Sequence, residues 1–65
     1  MPHVDITMFP GRDQTTKREL ALKLQKFLAQ ELGIAEAHVS VSIEDVPQEE
    51  WEAHMQGMQD KVRFV

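Results

Sequence analysis

Hydrophobic and polar positions alternate from His3 to Phe9. Val4, Ile6 and Met8 fall on one side, and His3, Asp5, Thr7 and Phe9 on the other, which is the period of a half-buried strand. Pro10-Gly11 breaks the pattern with a strong turn dipeptide. From about residue 14 to 32 the period lengthens, and Leu20, Leu24, Phe27, Leu28 and Leu32 form a stripe along one helix face. Lys17, Lys23, Lys26 and Gln30 take the outer face. Asp13 suits the N-cap, with Thr16 to Glu19 as an alternative capping box. Gly33 provides the C-cap. A second alternation, His38 to Val46, sets Val39, Val41 and Ile43 against His38, Ser40, Ser42 and Glu44.

Strand, long helix and strand in so short a chain predict an α/β fold made of a single β-α-β unit. The crossover is then right-handed and the two strands parallel. Pro47 is acceptable in the first turn of a following helix. Trp51, Met55, Met58 and Val62 give that acidic segment, Trp51 to Lys61, one apolar stripe. Gly57 weakens it by about 1 kcal/mol relative to alanine. The tail Val62-Arg63-Phe64-Val65 is rich in strand formers. One helix on two strands leaves a sheet face and both edges uncovered. Two copies side by side would form a four-stranded sheet with both helices on one face, so a homodimer is expected on stability grounds alone.

Length sharpens that expectation. A chain of 65 residues is one domain, and at that size it buries only about 60 % of the surface its unfolded form exposes. Small scaffolds usually need a disulfide, a metal or a partner, and cysteine is absent. The net charge of −4 is the wrong sign for binding nucleic acid. Five of the seven basic residues (Arg12, Lys17, Arg18, Lys23, Lys26) precede a stretch from 31 to 60 that has eight acids and no Lys or Arg. Solvated faces account for most such runs, and attraction across a subunit contact is the alternative. No basic leader with an apolar core and no membrane-length apolar run is visible, so a cytoplasmic protein with no membrane partner is expected.

Most sources of chemistry fail on inspection. His3, His38 and His54 lack metal-ligand spacing, so no metal is expected, and Gly11, Gly33 and Gly57 stand alone rather than in a phosphate loop. Glu49, Glu50 and Glu52 read as an acidic first helical turn. The amino terminus remains. Met-Pro favours removal of Met1, which frees the secondary amine of Pro2. An α-amino group titrates nearer neutrality than lysine, and burial or a nearby cation lowers it further. A base poised near the working pH suits proton transfer at carbon.

The stretch PHVDITMF from Pro2 to Phe9, Gly11-Arg12 in the turn, the helix from about 14 to 32, and VSVSI at 39 to 43 together resemble the 4-oxalocrotonate tautomerase family. The opening Pro2-His3-Val4-Asp5-Ile6, with Phe9-Pro10 and Pro47-Gln48-Glu49-Glu50-Trp51, is most similar to its PptA-like bacterial branch. The resemblance implies a keto–enol tautomerase acting on small 2-oxo acids or their enols without a cofactor. Pro2 would be the general base. Arg12 falls at the position of a family arginine that binds the substrate carboxylate, a task suited to a bidentate guanidinium. Trp51 falls where the family places an aromatic pocket wall.

Departures from the family pattern narrow the implication. The family prototype's second arginine, early in the second strand, aligns with Ser40 here. Loss of that anchor favours a monoacid such as phenylenolpyruvate over a dicarboxylate. Ser40 is either a hydrogen-bond donor to the substrate or a plain exposed strand serine. Ala53 stands at the position of a water-activating carboxylate in the dehalogenase branches, which disfavours hydration chemistry. The helix from Trp51 replaces the glycine-rich hairpin of the hexameric members, so a dimer is expected rather than a hexamer, with Pro2 and Trp51 free to come from different chains. A catalytically idle oligomer of the same fold, and imine formation at Pro2, stay open as alternatives.

Overall fold

A computed structural model describes residues 1–58 and 62–65. It contains, in order, β1 (His3–Met8), α1 (Gln14–Leu32), β2 (Ser40–Asp45) and α2 (Trp51–Gln56), with 3-10 turns at Glu36–His38 and Gln48–Glu50. The two strands form a parallel sheet in which His3 faces Ser40, Asp5 faces Ser42 and Met8 faces Asp45. This is the β-α-β unit that the two alternations predict. The register extends one step at each end, through Ser40 N–H to the Pro2 carbonyl at 3.2 Å and Val46 N–H to the Met8 carbonyl at 2.8 Å.

Asp13 is the N-cap of α1. Its side chain accepts from Thr16 N–H at 2.8 Å, and that bond holds its carboxyl below the usual carboxylate range. Gly33 ends the helix in the left-handed conformation, φ 66° and ψ 40°, with its N–H on the last carbonyls. A side chain there would be strained.

The buried face of α1 departs from the predicted stripe. Ala29 is buried and Leu20, Ala21, Leu24, Gln25 and Leu28 are half-buried, whereas Phe27 and Leu32 are more than half exposed. Each residue turns about 100° round the axis, so a face centred on Leu24, Gln25 and Leu28 leaves Phe27 on its flank. The Gln25 side-chain amide fixes that rotation by donating to the carbonyls of Glu36 at 2.9 Å and Val39 at 3.0 Å. Lys17 is not on the outer face either. Its Nζ meets Asp45 Oδ2 at 2.8 Å, with the lysine side chain only 14 % exposed. The basic and acidic halves of the chain are thus joined here within one protomer.

Two boundaries also move. His38 lies in a 3-10 turn, closed by His38 N–H to Ala35 and Val39 N–H to Glu36, each at 3.0 Å, so β2 starts at Ser40. Beyond Pro47 the chain makes a 3-10 turn before α2, which stops at Gln56. The predicted continuation of that helix through Gln59 to Lys61 lies outside the described residues. Val62, Phe64 and Val65 are exposed and form no strand.

The protomer is thinly packed. Among the described residues, only Ala29, Val39 and Val46 are buried apolar residues. Its radius of gyration, 13.3 Å, exceeds the ~11 Å of a compact chain this long. It exposes 5361 Å², against about 4,250 Å² for a compact monomer of this mass. The excess, roughly 1,100 Å², exceeds the ~800 Å² that a standard protein interface covers on each partner.

Candidate functional site

The parallel register gives the sheet two unlike faces. Val4, Ile6, Met8, Val41 and Ile43 lie on the side that also carries Asp45, which α1 reaches through Lys17. The other face carries His3, Asp5 and Thr7 beside Ser40, Ser42 and Glu44.

These polar side chains form a chain of hydrogen bonds. His3 Nδ1 lies 2.5 Å from Ser40 Oγ, and His3 Nε2 lies 2.9 Å from Ser42 Oγ. Ser42 Oγ in turn donates to Asp5 Oδ1 at 2.5 Å. A hydrogen bond with Glu44, then the one from Ser42, holds the Asp5 carboxyl below its usual range. The same contact and the repulsion of the Asp5 charge push the Glu44 carboxyl up. Of the pair, Asp5 ionises first and Glu44 keeps its proton to higher pH. His54 of α2 faces them both, and its Nε2 is buried without a hydrogen-bond partner among the described residues. Among the described residues no cluster of His, Asp and Glu is placed to hold a metal ion.

Pro2 is half-buried at the start of β1, one residue before His3, and its carbonyl accepts from Ser40 N–H. Ser40 is exposed, as a plain strand serine would be, yet its hydroxyl is engaged by His3. The structure thus brings two of the sequence-predicted site residues, Pro2 and Ser40, to one end of the sheet.

Arg12 and Trp51 belong to the other end. Trp51 opens α2 and packs edge-on against Phe9, ring centroids 4.9 Å apart and planes at 77°. Trp51 also lines an open cavity of about 430 Å³ with Glu52, Met55, Gln56 and Arg63. Arg12 is exposed in the loop after β1, next to Gly11, whose φ of 127° demands glycine. Among the described residues its guanidinium makes no ion pair. Seven residue steps separate Pro2 from Phe9, about 23 Å of extended chain. Within one chain, the two halves of the expected site therefore stand apart.

Sequence reasoning missed the His3–Ser42–Asp5 chain. The signal for it was present, since both polar sets alternate along their strands, but only the register shows which of them meet.

No helix among the described residues is long and apolar enough to cross a membrane. Residues 1–52 match the family model described as tautomerase enzyme. The chain is 39 % identical over 57 residues to a probable tautomerase of Xylella fastidiosa, covering 88 % of this chain and 70 % of that one. It is 37 % identical over 51 residues to 2-hydroxymuconate tautomerase of Comamonas testosteroni, covering 78 % and 81 %. To tautomerase PptA of Escherichia coli it is 32 % identical over 54 residues, covering 82 % and 72 %. No solved structure matches the chain significantly.

Proposed function

The chain belongs to the tautomerase family and is an isomerase, and from that premise we propose that it ketonises the enols of small 2-oxo monoacids with the Pro2 amine as base. Once Met1 is removed, the neutral amine takes the proton from the enol hydroxyl. The C=C electrons then accept that proton at carbon as the C=O bond forms. Oxygen loses one proton, carbon gains one, and Pro2 returns to its starting state. Arg12 holds the substrate carboxylate through charge-assisted bonds, and Trp51 supplies an apolar wall.

The observation that carries this reading is the position of Pro2, which leads directly into β1 within the family-matched residues. Preference for a monoacid such as phenylenolpyruvate over the dicarboxylate 2-hydroxymuconate follows from Ser40, a neutral residue where the family prototype has a second arginine.

The site is shared between two copies. Antiparallel apposition of two sheets brings the Pro2 end of one protomer to the Phe9 end of the other, closing the 23 Å gap that one chain leaves. The surplus of exposed surface supports such a contact, and the short α2 in place of a glycine-rich hairpin favours a homodimer over a hexamer.

Ultraviolet-monitored ketonisation of phenylenolpyruvate tests this, using protein whose mass confirms loss of Met1. The expected result is a rate well above buffer that falls by about 100-fold or more when one extra residue precedes Pro2. Equal turnover by the extended protein sinks the base assignment.

A further inference from the structure

The directions of the hydrogen bonds along the polar sheet face are determined by the group at their end. Asp5 is ionised and accepts only, so the one Ser42 hydroxyl hydrogen points to it. Ser42 Oγ then has only lone pairs left for His3, and His3 Nε2 must carry the hydrogen between them. In a neutral imidazole the other nitrogen is bare. His3 Nδ1 therefore accepts, and the Ser40 hydroxyl donates to it. While His3 is neutral, Ser40 has no hydrogen to offer a ligand.

Protonation of His3 reverses the last bond. Both ring nitrogens then donate, Nε2 to Ser42 as before and Nδ1 now to Ser40. The Ser40 hydroxyl hydrogen is released and can turn outward, beside an imidazolium. The groups facing His3 are Ser40 and Ser42 of β2 and, beyond Ser42, Asp5 of its own strand. His54 of α2 adds a second basic group facing Asp5 and Glu44.

We propose that His3 is a specificity-determining residue that sets what Ser40 presents to a carboxylated ligand at the Pro2 end. Neutral His3 leaves Ser40 an acceptor, which repels a carboxylate and suits an enol hydroxyl. Protonated His3 makes Ser40 a donor with a cation behind it, and so supplies an anion-binding pair where the chain has no second arginine. The proposal rests on the reading of Pro2 and Ser40 as one end of the substrate site. His3 acts through Ser40, so it is a positioning residue.

The test is binding of 3-phenylpropanoate and of its uncharged amide to the Met1-free protein between about pH 8 and pH 5, the span in which histidine side chains change charge. The His3 ring is followed by nitrogen NMR in the same samples. Carboxylate affinity is expected to rise about tenfold as His3 takes its proton, the difference between a neutral and a charge-assisted hydrogen bond, while the amide stays level. His3→Gln is expected to abolish the rise. Ser42→Ala, which keeps the ring but removes the acceptor that fixes its tautomer, is expected to shrink the rise, because Ser40 can then donate outward while the ring is neutral. His3 is exposed and Ser42 half-buried, and circular dichroism checks the folding of both variants. An unchanged rise in His3→Gln assigns the effect to the Pro2 amine and overturns the proposal. So does the same rise with the amide, or no carboxylate binding at any pH. Phenylenolpyruvate turnover by the same samples judges the role of Pro2 separately.

Discussion

At the Pro2 end of the sheet, side chains bond to one another across the strands, from Ser40 through His3 and Ser42 to Asp5. At the Phe9 end Phe9 packs edge-on against Trp51, Lys17 ties α1 to Asp45, and Arg12 projects from a loop. One end is a pre-organised polar network, and the other has an apolar wall and a cation. Hydrogen bonds fix geometry within tenths of an ångström, whereas an exposed arginine keeps its rotamers until a carboxylate or a partner orders it. The groups that move protons are best held by the first kind of end, and the group that captures a substrate carboxylate can belong to the second. A single chain has one of each, at opposite limits of its strands.

The sharpest way to break this comparison is to ask whether the two ends work in trans. Protein with an extra residue before Pro2 and protein carrying Arg12→Ala are each expected to be nearly inactive on phenylenolpyruvate. Unfolded together and refolded as a one-to-one mixture, they should regain about a quarter of wild-type activity, because half the dimers are mixed and each mixed dimer has one intact site. No recovery would place Pro2 and Arg12 of the same chain in one site. A smaller effect is expected for Arg12→Ala alone. It should lower kcat/KM for phenylenolpyruvate by roughly 10- to 100-fold, the worth of a charge-assisted bond, and should barely change turnover of the corresponding enol methyl ester. An equal loss on the ester would remove the carboxylate role from Arg12.

The smallest effect concerns the polar end itself. Asp5 is held below its ordinary value, so its contribution to stability is present above that value and fades as pH falls through the lowered one. Glu44 is raised, so its contribution is present below its ordinary value and fades as pH rises through the raised one. Thermal midpoints should therefore decline on both sides of a narrow acidic window. Glu44→Gln still offers Asp5 a hydrogen and has no proton to lose, so it should remove the alkaline-side decline and keep the acid-side one. A wild-type profile in that variant would show that Asp5 and Glu44 do not share a proton.

Alternation along His3–Phe9 and His38–Val46 was enough to read the strands, because a two-faced sheet forces period two on any sequence that forms it. The caps of α1 were legible for a similar reason: Asp13 and Gly33 each do something few residues can. The rotation of α1 was not. Phe27 and Leu32 look like core by hydropathy, but Gln25, a polar residue, sets which face turns inward by bonding Glu36 and Val39. The Lys17–Asp45 pair was hidden in the same way, since it joins residues 28 positions apart. Of the expected site, Pro2 and Ser40 could be placed at one end from the register alone. How Ser40 is engaged could not, because it depends on a histidine that only strand pairing brings alongside.

The Gln25 strap also bears on the order in which the unit forms. Its bond to Val39 closes a loop of 14 residues, while the pairing of His3 with Ser40 closes one of 37. By loop-closure entropy alone the longer closure costs about 0.9 kcal/mol more, and its reward comes only after β2 is in place. Helix and second strand should therefore lock together first, with β1 added last, so that the amides of α1 and of Val39, which bonds back to Glu36, gain protection in pulse-labelled refolding before those of Ser40 and Val46, which bond to Pro2 and Met8. Simultaneous protection would reject this order. The strand that follows Pro2, the proposed base, is then the last to be gathered in, and until it arrives β2 presents an open edge to the same strand of another copy.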